Sequence, residues 1–185
     1  MDKLDEIRQV WAEINLDNLA YNIKEVKKHT KKDTLITAVI KANGYGHGSK
    51  KIAKTLLENG ADRIAVAILD EAIELRKANI QESLMILGPT PQVKYEKVIQ
   101  YKLIQTIYSY EDAKALSDKA LELDKIATIH IKIDSGMGRL GFLPNERSIE
   151  DIVGIWKLPN LNLEGIYTHF ASAYELDKSH TSGQF

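Results

Sequence analysis

The sequence contains no cysteine. That excludes a disulfide framework and any thiolate metal site, and it suits a cytosolic protein. Neither sign of charge prevails. Lys and Arg number 25 and Asp and Glu 26, for a formal net charge of -1, so nothing draws the chain toward nucleic acid or an acidic membrane surface. Aromatic residues make up 7% and do not interleave with basic ones, as a platform for single-stranded nucleic acid would require. No apolar run approaches the ~20 residues of a membrane helix. The opening MDKLDEIRQ lacks the apolar core of a signal peptide. Low-complexity segments, fixed-period repeats and linker-like stretches are missing as well. What remains is 185 residues, 44% of them hydrophobic, enough for one sizeable core.

Within that chain, β-branched runs alternate with helical periodicities. Strands are predicted at 10–14, 34–40, 63–68, 84–87, 103–108, 127–133 and 163–168. Asp17 offers a cap to the stripe Leu16, Leu19, Ala20, Ile23 and Val26. Ile52, Ala53, Leu56 and Leu57 recur at helical spacing up to a stop at Gly60. Ser109 with Asp112 has the form of a capping box for the next long helix. Further helices are predicted over 93–101 and 149–156. Strictly alternating strands and helices imply an α/β fold with a parallel sheet. From the strand at 34–40 onward there are about six strand–helix units, against the eight of a closed barrel. By pattern alone, a doubly wound sheet fits equally well.

The stretch AVIKANGYGHG, from Ala38 to Gly48, organises the chain. A buried strand ends at Lys41, a three-glycine turn follows, and a helix starts. In α/β folds such junctions lie on the rim where ligands bind. A lysine whose stem is held there can lose its proton and form a Schiff base with a carbonyl. Tyr45, in the same turn, can reach back toward the other end of whatever the lysine holds; it can equally be a packing aromatic.

Two later stretches carry chemistry. In IHIKID the isoleucines point one way, and Thr128, His130, Lys132 and Asp134 point toward a barrel centre, where they need partners. The next residues, SGMGRLG, contain G-x-G-x-x-G after a strand. That is the dinucleotide fingerprint, but Pro144 follows too soon for a helix to open at the third glycine. EGIYTHFA then ends a strand at His169. His47, His130, His169 and Asp134 are metal-ligand types, but their spacing matches no metal cluster, so no metal is expected.

AVIKANGYGHG, IKIDSGMGRLGF and EGIYTHFA resemble three motifs of the bacterial alanine racemases, and the resemblance runs from Val10 to Phe185. It implies a (β/α)8 TIM-type barrel followed by a mostly β domain. Residues 16–185 would be about six of the barrel's units, and 1–15 would include a strand packing on the second domain, which is expected to be missing together with the last two barrel strands. It implies pyridoxal 5'-phosphate as cofactor, bound covalently by Lys41, with Tyr45 on its phosphate, Arg139 on its phenolic oxygen and His169 against its ring. It implies that Lys41 serves one face of the substrate and a tyrosine from the partner of a homodimer serves the other. The activity would be interconversion of L- and D-alanine, supplying D-alanine for cell-wall peptidoglycan in the cytoplasm. Lys132 would lie close to Arg139. Their repulsion is relieved either by a carboxylate such as Asp134 or by carboxylation of Lys132 to an anionic carbamate, found in many members of the family. A cofactor-binding barrel without racemase activity, or a fragment inactive by itself, stand as alternatives. The choice between alanine and serine stays open.

Overall fold

The computed structural model describes residues 11–185. Val10 lies outside the described residues, and residues 11–14 join no ladder among them. The first helix, α1 (Leu16–His29), starts at Asn15, whose side chain accepts the Asn18 N–H at 2.9 Å. Asp17 was the expected cap. It lies instead in the first turn, where its charge suits the helix N-terminus as Lys27, Lys28 and His29 suit the other end.

Six strands follow: β1 (Thr37–Val39), β2 (Arg63–Val66), β3 (Leu84–Ile86), β4 (Ile104–Ile107), β5 (Ala127–Lys132) and β6 (Leu161–Tyr167). Between them run α2 (Lys41–Tyr45, a single turn), α3 (Ser49–Asn59), α4 (Leu69–Lys77), α5 (Tyr95–Gln100), α6 (Tyr110–Glu122) and α7 (Glu146–Trp156), with α8 (Ser179–Gln184) after β6. A short 3-10 turn, Gln92–Lys94, leads into α5. Every strand pairs in parallel with its neighbour in sequence, in the order β1-β2-β3-β4-β5-β6. A doubly wound sheet reverses its order at a switch point. This one never does, and a sheet that winds in one direction is the wall of a barrel. The wall is partial: among the described residues it has six parallel strands.

Strand residues alternate between two cores. Ile64, Val66, Leu84, Ile86, Ile107, Ile129 and Ile131, each at most 1% exposed, meet Ala53, Ala72, Leu75, Val98, Leu116 and Ile155 of the helices. At about 2 kcal/mol per fully buried aliphatic side chain, this outer layer dominates the fold's stability. Ala65, Met85 and Ile104, with Leu87 and Tyr167, form a smaller inner cluster. The inner face predicted for Thr128, His130, Lys132 and Asp134 is present: Lys132 and Asp134 are buried, and Thr128 and His130 half-buried.

The lumen floor holds a polar bridge. Arg63 on β2 donates to both carboxylate oxygens of Glu164 on β6, at 2.8 and 3.2 Å, and His130 Nε2 lies 2.8 Å from the same carboxylate. Burial pushes the Glu164 carboxyl up, but the His130 and Arg63 contacts outweigh it and hold the group below its ordinary range. Glu164 reaches this place because β5 and β6 slip out of register: Ile129 pairs with Leu163, but His130 pairs with Gly165. Residue 164 is the unpaired one of a β-bulge.

Candidate active site

The end of β1 presents Lys41. The residue before it, Ile40, is 2% exposed and donates its N–H to Ala65 O at 2.9 Å, so the chain is anchored just ahead of the lysine. α2 then runs left-handed: Ala42 (φ 52°), Asn43 (φ 53°), Gly44 (φ 64°), Tyr45 (φ 55°) and Gly46 (φ 87°) succeed one another at positive φ. For the non-glycine residues this conformation costs roughly 1–2 kcal/mol each, so the turn must be held by its contacts. Gly44 N–H donates to Ile40 O at 2.8 Å, Gly46 N–H to Ala42 O at 3.0 Å and Gly48 N–H to Asn43 O at 2.9 Å. Asn43 Oδ1 accepts the Ser49 N–H at 2.9 Å, and Glu71 Oε1 accepts the Ala42 N–H at 2.6 Å. A Cβ on Gly44 would lie 2.2 Å from Ile52 Cδ1, so a side chain there would have to displace the buried Ile52 as well as adopt the left-handed conformation. The turn brings Lys41 and Tyr45 to the same cavity.

β5 presents the second cation. Its chain leaves at Asp134, circles through residues 135–141 and returns onto its own strand. Phe142 N–H donates to Lys132 O at 2.8 Å, and Asp134 N–H to Phe142 O at 2.9 Å. Gly141 makes this return possible, since a Cβ there would lie 2.6 Å from Asp134 N and 2.8 Å from Lys132 O. No helix opens at Gly141; α7 starts at Glu146, capped by Asn145. The loop is therefore not a dinucleotide turn. It wraps a carboxylate of its own: Asp134 Oδ1 accepts the N–H of Gly136 at 3.1 Å and of Gly138 at 2.9 Å, and Oδ2 accepts the N–H of Arg139 at 2.7 Å. The Gly138 and Gly136 N–H groups hold the Asp134 carboxyl below its ordinary range, with Arg139 N–H and the nearby Lys132 charge adding to them against burial.

Asp134 is thus committed to the loop backbone and makes no direct bond to Lys132. Lys132, 8% exposed, donates to Ile133 O at 2.6 Å, and its Nζ lies 5.7 Å from the centre of the Tyr167 ring. Burial pulls its pKa below the usual lysine range; the Asp134 charge opposes this and the Arg139 charge adds to it. His169, at the end of β6, is likewise pulled down, by burial first and then by the charges of Arg139, Lys132 and Lys41. A single imidazole that senses three cations sits among them, and the shift favours its neutral form.

Lys41, Tyr45, Lys132, Arg139 and His169 all line one open cavity of about 740 Å³ at the carboxyl ends of the strands. No Asp or Glu is among the described residues that line it, and its apolar side comes from Val39, Ala65, Met85 and Leu87. Pyridoxal phosphate fits this donor set: an anionic, aromatic aldehyde meets cations, apolar walls and an amine. A second cavity, about 850 Å³, opens at the opposite ends of β4 to β6 and is lined by none of the motif residues. His47 Nδ1 contacts Gly44 O at 2.7 Å while His130 turns to Glu164, and among the described residues no three metal-ligating side chains converge.

Two residues of the site escaped sequence reasoning. Glu71 was visible only as an acid in the first turn of a helix. Gln184, 7% exposed, accepts the Ala171 N–H at 2.9 Å, donates to His169 O at 3.3 Å and lies beside Gly136. It ties the His169 strand end to the Arg139 loop, and no pattern in the polar tail announced it.

Residues 14–185 match the family described as Alanine racemase, N-terminal domain. An alanine racemase of Clostridium tetani is 52% identical over 179 residues, covering 97% of this chain and 46% of that protein. The structure of an alanine racemase from Clostridium difficile 630 superposes with a TM-score of 0.91 at 44% identity, over 96% of this chain and 47% of that one. A histidine racemase from Leuconostoc mesenteroides subsp. sake superposes with a TM-score of 0.85 at 25% identity, over 91% and 45%. The chain spans about half the length of the relatives it matches.

Proposed function

The chain belongs to the alanine racemase N-terminal domain family, and on that footing we propose that the full protein interconverts L- and D-alanine with pyridoxal phosphate as cofactor. The observation that carries this reading is the convergence of Lys41, Lys132, Arg139 and His169 on one acid-free cavity at the strand ends. When bound, the cofactor supplies an electron sink for negative charge at the substrate α-carbon. The protein supplies the rest. Lys41 is the amine that meets the cofactor aldehyde, and once free it takes or returns the α-proton on one face. Tyr45, at the far end of the turn, would offer its hydroxyl to the phosphate. Arg139, its backbone fixed in the loop, would donate to the phenolic oxygen. His169 would pack its imidazole against the ring, held toward the neutral form by burial and then by the neighbouring Arg139 charge.

Lys132 is the residue whose state matters most to Arg139. Burial favours its neutral amine, and a neutral amine reacts with carbon dioxide. Nζ attacks the carbon, one C–O double bond opens to carry the negative charge, and a proton leaves Nζ for solvent. The resulting carbamate turns a repulsion into a charge-assisted hydrogen bond to Arg139. Asp134, the alternative neutraliser, has its oxygens on backbone N–H groups.

The opposite face of the substrate belongs, in this reading, to a tyrosine from the second domain of the partner in a homodimer. That domain would follow the barrel portion. The role of the full protein is to supply D-alanine for the cell wall in the cytoplasm. No helix among the described residues is long and apolar enough to cross a membrane. Borohydride reduction of the cofactor-loaded full-length protein, followed by peptide mapping, tests the assignment. The pyridoxyl group is expected on Lys41, and a label on another lysine overturns it. Polarimetry with L-alanine is expected to show turnover by the full-length protein and none by the 185-residue chain, which by itself offers a base on one face only.

A further inference from the structure

We infer that Glu71 is a positioning residue for Lys41, acting through the backbone of the left-handed turn. The inference rests on the reading of Lys41 as the cofactor-bearing lysine.

Glu71 stands in the first turn of α4, where the leading N–H groups of a helix lack partners within it. Its Oε2 reaches back over the helix entry, accepting the N–H of the capping residue Ile68 at 3.3 Å and of Ala67 ahead of it at 2.8 Å. A carboxylate at a helix start can spend both oxygens this way. Here the second is diverted. Oε1 accepts the Ala42 N–H at 2.6 Å, 29 residues away in sequence. Ala42 directly follows Lys41 and opens the run of positive φ. Its N–H has no other acceptor among the described residues, because the hydrogen bonds within the turn begin at Gly44 N–H. The entrance of the turn, the part that aims Lys41, is thus closed from outside by one carboxylate oxygen.

The geometry separates this from an effect of charge on the amine. Glu71 does not line the cavity and makes no ion pair with Lys41 among the described contacts. It binds the peptide N–H that follows the lysine, so its influence passes through where the main chain leaves β1. Glu71 also joins the β2–α4 connection to the β1 turn, so the two neighbouring strand ends move as one piece.

Glu71→Gln is the discriminating variant. It preserves size, but an amide has one acceptor oxygen, and its NH₂ would face an N–H donor. Glu71→Ala removes both acceptors. Glu74→Gln, on the same helix in a surface pair with Lys50 at 2.8 Å, is the control. All are made in the full-length protein. In the apoprotein, Glu71→Gln is expected to speed amide exchange over residues 42–46 by about tenfold, the loss of one charge-assisted hydrogen bond. In the loaded protein it is expected to slow borohydride trapping of Lys41 and lower kcat by about tenfold with KM for L-alanine within about twofold, because a displaced lysine misses its reacting atom rather than losing substrate. Glu71→Ala should do more and Glu74→Gln nothing. If Glu71→Gln speeds exchange at the start of α4 alone and leaves residues 42–46 and kcat unchanged, Glu71 serves only its own helix and the inference falls. If Glu71→Ala does not fold, the exchange result for Glu71→Gln still decides. If Lys41 is not trapped even in the unsubstituted protein, the proposed function fails, while exchange over 42–46 still reports whether the clasp holds the turn.

Discussion

The Lys41 turn leaves the rim after β1 and the Arg139 loop leaves the same rim after β5, with three strands between them; both are rich in glycine, and both are held by a carboxylate. They are held from opposite sides. Asp134 lies inside its loop and belongs to the strand that launches it; three N–H groups of residues 136–139 close on it. The Lys41 turn contains no acid. Its strain is contained by Glu71, from another helix, and by Asn43, which reaches forward to Ser49. The difference suits the two tasks proposed for these residues. A guanidinium that stabilises a fixed oxygen gains from a loop that folds around its own anchor. An amine that must hold a cofactor, release it and then move a proton gains from a turn whose restraint lies outside it.

The contrast breaks most visibly at two glycines. Gly44 and Gly138 both have positive φ, 64° and 71°. A Cβ at Gly44 meets Ile52 at 2.2 Å, whereas at Gly138 nothing lies within 4 Å. Gly44→Ala therefore adds overpacking to left-handed strain and is expected to cost about 2–4 kcal/mol. Gly138→Ala bears the strain alone, about 1–2 kcal/mol. Urea unfolding of the full-length variants checks the order; equal losses would show that packing does not distinguish the two segments.

A smaller effect is expected at Lys132. Lys132→Ala in the full-length protein should lower activity about tenfold by removing the proposed carbamate beside Arg139. A small added carboxylate should restore part of it, and labelled bicarbonate should give a carbamate resonance in the unsubstituted protein only. If no resonance appears and nothing is restored, Arg139 relies on Asp134 and its loop.

The smallest effect is in acid. The folded Asp134 carboxyl lies below its ordinary value of 3.8. A depressed carboxyl contributes stability that is fully present above the unfolded value and lost as pH falls through the folded one. Amide exchange over residues 136–139, corrected for its intrinsic pH dependence, should therefore quicken only below pH 3.8. Quickening near neutrality would mean that another group holds the loop.

Much of this architecture was legible in the chain because β-branched runs and helical stripes are local. Five strands lie within the runs read for them, with ends trimmed: 34–40 became Thr37–Val39, since a strand lasts only as long as its ladder; β6 starts at Leu161, ahead of the run read at 163–168, and residues 11–14 of the run read at 10–14 form no strand. Less legible was the direction of winding, which decides barrel against doubly wound sheet and depends on which strands meet. The three motifs marked Lys41, Tyr45, Arg139 and His169, which the fold gathers around one cavity. Asp134 was read as one possible neutraliser beside Lys132; its charge does act on Lys132, but its hydrogen bonds go to the loop that follows and curls back to claim them. The left-handed run was hidden because Asn43-Gly44 signals only a local turn and Ala42 and Tyr45 carry no sign of positive φ, and α7 starts at Glu146 because its cap, Asn145, lies just beyond the Pro144 that was read only as a break.

The unpaired residue at Glu164 has an effect well above the lumen floor. Side chains along a strand take turns between inside and outside, so inserting one residue exchanges odd for even from there on. Below the bulge Leu163 pairs with outward Ile129; above it Gly165 and Tyr167 pair with inward His130 and Lys132. The single extra residue that lets a carboxylate bridge the floor thus also sets which face of the upper strand looks inward, and it carries the Tyr167 ring to within 5.7 Å of the Lys132 ammonium.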